Sequence, residues 1–165
     1  NQAIKYFNDA LQIRTELDDK RGISMCYNNM GEVFNLKGDF GKAIEYYEKS
    51  LNIDTELEDQ EGMAIGLLNI GNVHAKQQNI GKATQYYNQS LSIAKLSGNK
   101  RLAANVLNLM GELLINQSKY TEAHQIFQQA IEFSNEIGDK SEVAKSRSEE
   151  RRVGKECSFR LSPDH

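Results

Sequence analysis

The chain has no tryptophan, a single proline (Pro163) and only two cysteines, Cys26 and Cys157. Without proline, the first 162 residues contain no strong helix breaker. The two cysteines stand at no metal or redox spacing, so neither a disulfide framework nor a zinc site is expected. No apolar run approaches the ~20 residues that a membrane-spanning helix needs. The first ten residues are polar and already follow a helical pattern, unlike a signal peptide. Basic residues are not in excess either. A net charge of −3 argues against an electrostatic nucleic-acid binder, which needs a clustered basic face. These absences leave a chain expected to be cytoplasmic, in a reducing compartment, off the membrane and away from nucleic acid. Because it opens on Asn1 and not Met, it is expected to begin inside a longer protein.

What is present is a repeat. Blocks beginning at Asn1, Gly41, Gly81 and Thr121 align residue by residue, with a period of 40 and no insertion. A fixed period in this range overrides local propensity, because it marks one supersecondary unit stacked on copies of itself. Ala3, Ala43, Ala83 and Ala123 share one column. Phe7, Tyr47, Tyr87 and Phe127 share the next, and Leu11, Leu51, Leu91 and Ile131 the third. Spaced four residues apart, these columns form one stripe on a helix. A second stripe runs through Tyr27, Leu67 and Leu107, then Met30, Ile70 and Met110, then Gly31, Gly71 and Gly111, and on to Val33, Val73 and Leu113. A mid-helix glycine costs about 1 kcal/mol relative to alanine. Its return at one phase therefore needs a packing reason, which is that two helix backbones pass close together there.

The punctuation agrees. Asp19, Asp59, Asn99 and Asp139 stand as N-caps of one helix of each block, and Asp39 and Asn79 as those of the other. Gly38 is a C-terminal stop before Asp39. Each block is thus a pair of helices of about 15 to 17 residues.

The run Leu67, Ile70-Gly71, Ile80, Ala83 and Tyr87 resembles the tetratricopeptide signature. So do the runs from Tyr27 (Met30, Gly31, Phe40, Ala43, Tyr47) and from Leu107 (Met110, Gly111, Tyr120, Ala123, Phe127). The usual unit has about 34 residues; the longer one here resembles Pins-type modulators and the repeats of bacterial sensor kinases and regulators. The departures are the missing final proline and His74 in an aromatic column. This resemblance implies an all-α fold, an α-α superhelix in which antiparallel helix pairs form a solenoid. It implies further that the first helices, here 22–37, 62–77 and 102–117, line a concave surface on which protein or peptide partners dock.

On those helices the positions facing away from the apolar stripe are Asn28, Glu32 and Asn35, then Asn69, Asn72 and Lys76, then Asn105, Asn108, Glu112 and Asn116. They lie at or near i, i+3, i+4 spacing on one face of each helix. Asparagine is a poor helix former, yet 24–37, 64–77 and 104–117 hold eight asparagines against seven in the rest of 1–146. An amide offers both donor and acceptor, which suits it to gripping the backbone of an extended peptide. These ten residues are the candidate peptide-binding face.

Other constellations carry less. Gly41-Lys42 and Gly81-Lys82 lack the Ser or Thr that a phosphate loop requires. His74 has no second ligand at metal spacing and reads as a packed interhelical histidine, and His124 as a surface residue. Met30, Met110, Tyr46-Tyr47 and Tyr86-Tyr87 read as core. No nucleophile, base and orienting group can be assembled, so no catalytic, cofactor or metal site is expected in this chain. It reads as an interaction scaffold, the sensory or regulatory part of a larger bacterial signalling protein. The alternatives are a spacer, an array that associates with itself through its end helices, or a piece of a histidine kinase, cyclase or transcriptional regulator.

The pattern stops near Arg147. The repeat demands a large apolar residue at 147 and a glycine at 151, and finds Arg147 and Arg151. The string from Arg147 to Cys157 resembles a sequencing adapter translated in one frame. The expected organisation is therefore a helical array over 1–146, comprising a lone second helix, three full pairs and the start of another helix. A non-native or disordered tail over 147–165 follows it.

Overall fold

A computed structural model describes residues 2–160, and all secondary structure among them is α-helical. Eight helices follow one another: α1 (Gln2–Glu16), α2 (Lys20–Leu36), α3 (Phe40–Glu56), α4 (Gln60–Lys76), α5 (Ile80–Leu96), α6 (Lys100–Asn116), α7 (Tyr120–Glu136) and α8 (Lys140–Arg160). None of these helices is long and apolar enough to cross a membrane.

The turns repeat every 20 residues, half the sequence period. Asp18, Gly38, Glu58, Gln78, Gly98, Ser118 and Gly138 all have φ between 52° and 77°. The residue after each donates its N–H to the carbonyl five positions back, as from Asp59 to Asp54, Asn79 to His74 and Asn99 to Ala94. This bond closes the preceding helix in the Schellman manner. At Asp19, Asp39, Asp59 and Asn99 the same residue then opens the next helix, its side chain accepting from Gly22, Lys42, Gly62 and Leu102 N–H respectively. One short polar residue thus satisfies orphan backbone groups of two helices.

The chain divides into two compact units, one up to Ile93 and one from Ala94 onward, with the division in the last turn of α5. In the first, the core gathers Ala43, Tyr47, Ile70 and Val73, flanked by Phe34, Phe40 and Tyr86. The glycine columns have a packing cause, but the space is filled by a ring of the following helix and not by its backbone. A Cβ on Gly31 would lie 2.7 Å from the Tyr47 ring, and one on Gly71 would lie 2.7 Å from the Tyr87 ring. Ser90 tightens the same crossing, its hydroxyl donating to the Ala64 carbonyl at 2.7 Å. On α1, Tyr6 and Ile13 are exposed.

In the second unit the ring belongs to Phe127, 2.5 Å from a Cβ placed on Gly111. Ala123 and Phe127 share their core with Val153 of α8, which is 1% exposed. The stretch 147–160, for which the repeat predicts no continuation, is helical here. Val153 stands in the column of Val33, Val73 and Leu113, a match that the break at Arg147 and Arg151 hides; both arginines are exposed. The remainder of the expected tail, 161–165 with Pro163, lies outside the described residues.

Four of the left-handed turn residues are not glycine, and an L side chain there costs about 1–2 kcal/mol. Glu58→Gly copies what Gly38, Gly98 and Gly138 already supply. It is expected to raise unfolding stability by a few tenths to about 1 kcal/mol after the entropic cost of glycine. Urea unfolding of the variant checks this; no gain would mean the turn carries no strain.

Candidate functional site

In the first unit the candidate residues of α2 and α4 are brought together, and they bond to one another. Asn69 Nδ2 donates to Asn28 Oδ1 at 2.9 Å, and Lys76 Nζ to Asn35 Oδ1 at 2.9 Å. Both bonds join residues 41 apart, one helix pair to the next. Asn72 Oδ1 accepts from the Tyr87 hydroxyl at 2.7 Å, and the Tyr47 hydroxyl bonds the side chain of Asn35. Burial pushes the Tyr47 phenol above its ordinary value; Asn35 opposes that rise and the Glu32 carboxylate adds to it. The amides therefore form a ladder between successive first helices and cap the hydroxyls of the two buried tyrosines. Each amide has both a donor and an acceptor end, so an Asn–Asn pair engages one end of each side chain and orients the other. Asn28, Asn35, Asn69 and Asn72 are half-buried, while Glu32 and Lys76 are exposed.

The second unit differs. Asn105 and Glu112 are half-buried and Asn116 is exposed. Asn108 is 0% exposed, which corrects its assignment to an accessible face. Its column faces the next first helix, and there Ser146 of α8 donates to Asn108 Oδ1 at 3.0 Å. The column of the buried tyrosines holds Phe127, which has no hydroxyl to satisfy.

A polar cluster beneath the ladder escaped the sequence reading. Ser24, Ser50 and Asp54 are all buried, with Asp54 at 5% exposure. Ser24 Oγ donates to Asp54 Oδ1 and lies 2.9 Å from Ser50 Oγ, and Ser50 Oγ reaches the Ser24 carbonyl at 3.0 Å. Burial raises the Asp54 pKa first of all; the nearby Asp59 charge adds to this, while Ser24, Ser50 and Arg21 act against it. The cluster forms one wall of a cavity of about 350 Å³ between α2, α3 and α4, also lined by Arg21, Asn28 and Glu61. The signal in the sequence was a carboxylate in the column of Arg14, Ala94 and Ser134.

His74 packs as expected. It is 7% exposed and stacks on Tyr86 at 5.5 Å between ring centroids. Burial and then Lys82 hold its imidazole below the ordinary value. His124 lies 3.7 Å from Glu150. Among the described residues no three His, Cys, Asp or Glu side chains are grouped to hold a metal.

The Asp54 environment yields a pH prediction. Its folded pKa is raised, so the folded state favours the protonated form. The stability this supplies is present below the ordinary carboxylate value and is lost as pH rises through the folded value. Asp54→Asn keeps the size and an acceptor for the serines. At about pH 7 the variant is expected to melt higher than the wild type, the gap closing as pH falls toward about 4. An unchanged gap across that range would contradict the buried-charge explanation.

Comparisons with known proteins agree with this architecture. A tetratricopeptide repeat family model matches residues 1–56 and 62–136. No curated protein sequence matches the chain. Among solved structures, aspartyl phosphate phosphatase F from Bacillus subtilis is similar at 17% identity and a TM-score of 0.82, over 87% of this chain. The chain spans 38% of the length of that phosphatase. The apo form of RapI is similar at 20% identity and a TM-score of 0.61, over 96% of this chain and 63% of that one. The nearly identical repeats of a kinesin light chain from Podosopora anserina align at 11% identity and a TM-score of 0.72, over 96% and 79%. With helix pairs, capped turns and glycine–ring crossings recurring at one period, the chain belongs to the tetratricopeptide repeat family and is an all-α helical repeat solenoid.

Proposed function

We propose that this chain is a non-catalytic interaction scaffold that holds an extended peptide along the first-helix amides. Asn28, Asn35, Asn69 and Asn72 of the first unit carry the contact, joined there by Glu32 and Lys76. Asn105, Glu112 and Asn116 are the corresponding positions on the first helix of the second unit. The observation that supports this most is the ladder itself. Its Asn–Asn and Lys–Asn bonds fix the side chains before any ligand arrives, so little rotamer entropy remains to be lost on binding. An extended peptide backbone presents alternating donors and acceptors, which oriented amides can match. Placement in a cytoplasmic bacterial signalling protein fits the kinship of fold with a Bacillus phosphatase, and it belongs to this proposal.

Selection from a random peptide library displayed on phage, followed by calorimetry with a selected peptide, tests the reading. Asn69→Ala/Asn72→Ala is expected to weaken binding about tenfold or more, at about 1 kcal/mol for each lost hydrogen bond. Helix content should be kept, as circular dichroism would show. A selection that yields no saturable binder, or an unchanged affinity in the variant, contradicts the proposal.

A further inference from the structure

The position that Asp54 takes at the cavity wall has a counterpart one repeat earlier, and the two are filled differently. Shifting by 40 residues carries Arg14, Asp19 and Gly22 onto Asp54, Asp59 and Gly62. In the earlier copy the Arg14 guanidinium lies across Gly22, where a Cβ would collide with its Nη1, and bonds the cap residue Asp19. In the later copy Asp54 lies across Gly62, its carboxyl carbon 2.6 Å from where a Cβ would stand. The slot that holds a cation in the first case holds a second acid in the next, and open volume adjoins it.

We propose that this cavity receives the guanidinium of an arginine side chain from a bound peptide, with Asp54 as its principal partner. Asp54 is buried beside Asp59, and Arg21, which lines the same cavity, is paired with Asp59: its Nη2 sits 3.0 Å from Asp59 Oδ2, with its side chain 71% exposed. Ser24 and Ser50 hold the Asp54 carboxyl in place from the core side, so its orientation does not depend on the ligand. A guanidinium suits the position because its planar fork can bond a carboxylate through two N–H groups, and such charge-assisted bonds are about twice as strong as neutral ones. Asn28 belongs both to the cavity wall and to the amide ladder. A peptide backbone on the ladder therefore passes the mouth of the cavity, and Met25 and Ile65 at the wall offer apolar surface to the methylene stem. This site rests on the peptide-scaffold reading and adds a sequence preference to it.

The test uses the whole chain, isotopically labelled, titrated with N-acetyl-arginine amide and, in parallel, with N-acetyl-norleucine amide. Saturable amide shifts at Ser24, Asp59 and Gly62 are expected with the arginine probe, at an affinity about tenfold or more above norleucine. Asp54→Asn should abolish that preference while keeping the spectrum of the folded chain. Asp54→Arg rebuilds the earlier repeat, fills the slot from within, and should remove binding as well. Equal shifts from both probes, or an arginine preference that survives in both variants, would overturn the site. Failure of the ladder reading shows separately: selected peptides would then ignore Asn69→Ala/Asn72→Ala, and these small-probe titrations would be unaffected.

Discussion

The contact between a mid-helix glycine and an aromatic ring of the following helix is the constraint on which the rest depends. Gly31 faces Tyr47, Gly71 faces Tyr87 and Gly111 faces Phe127, each with no room for a Cβ. The missing side chain leaves room for the ring, and the same contact recurs in three helix pairs. This packing has a polar consequence. When the ring is a tyrosine, its hydroxyl must find a partner once buried. Asn35 meets that need for Tyr47 and Asn72 does so for Tyr87. Core packing and the amide face are thus two ends of one side chain.

The turns add the second regularity. A left-handed residue followed by a short polar one closes one helix and opens the next, every 20 residues. Because the helices have nearly equal length, columns separated by 40 residues return to equivalent places. Ion pairs follow suit: Lys20 with Glu56 and Lys100 with Glu136 occupy the same columns two repeats apart. Such exposed pairs contribute little energy, and their recurrence reports register more than stability.

The fold was legible because its signals are periodic and local. Alanine, aromatic and glycine columns need only spacing to be read, and a cap residue needs only its neighbours. The site was less legible, since its bonds join residues 41 apart whose side-chain directions no periodicity states. The asparagines are legible as a face, but their mutual pairing is not. Helical phase places Asn108 on that face because it cannot show that Ser146 of α8 bonds it and that it is buried. Asp54 is not legible in the sequence, because a single acid near a helix end resembles a solvated residue and only the fold sets Ser24, Ser50 and Gly62 around it. Val153 keeps its column although Arg147 and Arg151, where the repeat demands an apolar residue and a glycine, conceal the register.

Glycine–ring contacts thus recur in the core of each unit, and in the first unit a polar face of amides is bonded within itself. The claim that the ring dictates the glycine is open to a double-mutant cycle on Gly71→Ala and Tyr87→Leu, read by chemical unfolding. Alone, Gly71→Ala should cost about 1–3 kcal/mol by overpacking. In the Tyr87→Leu background the cost should vanish or turn into a gain, giving a coupling energy of about 1–3 kcal/mol. An equal cost in both backgrounds would contradict the account.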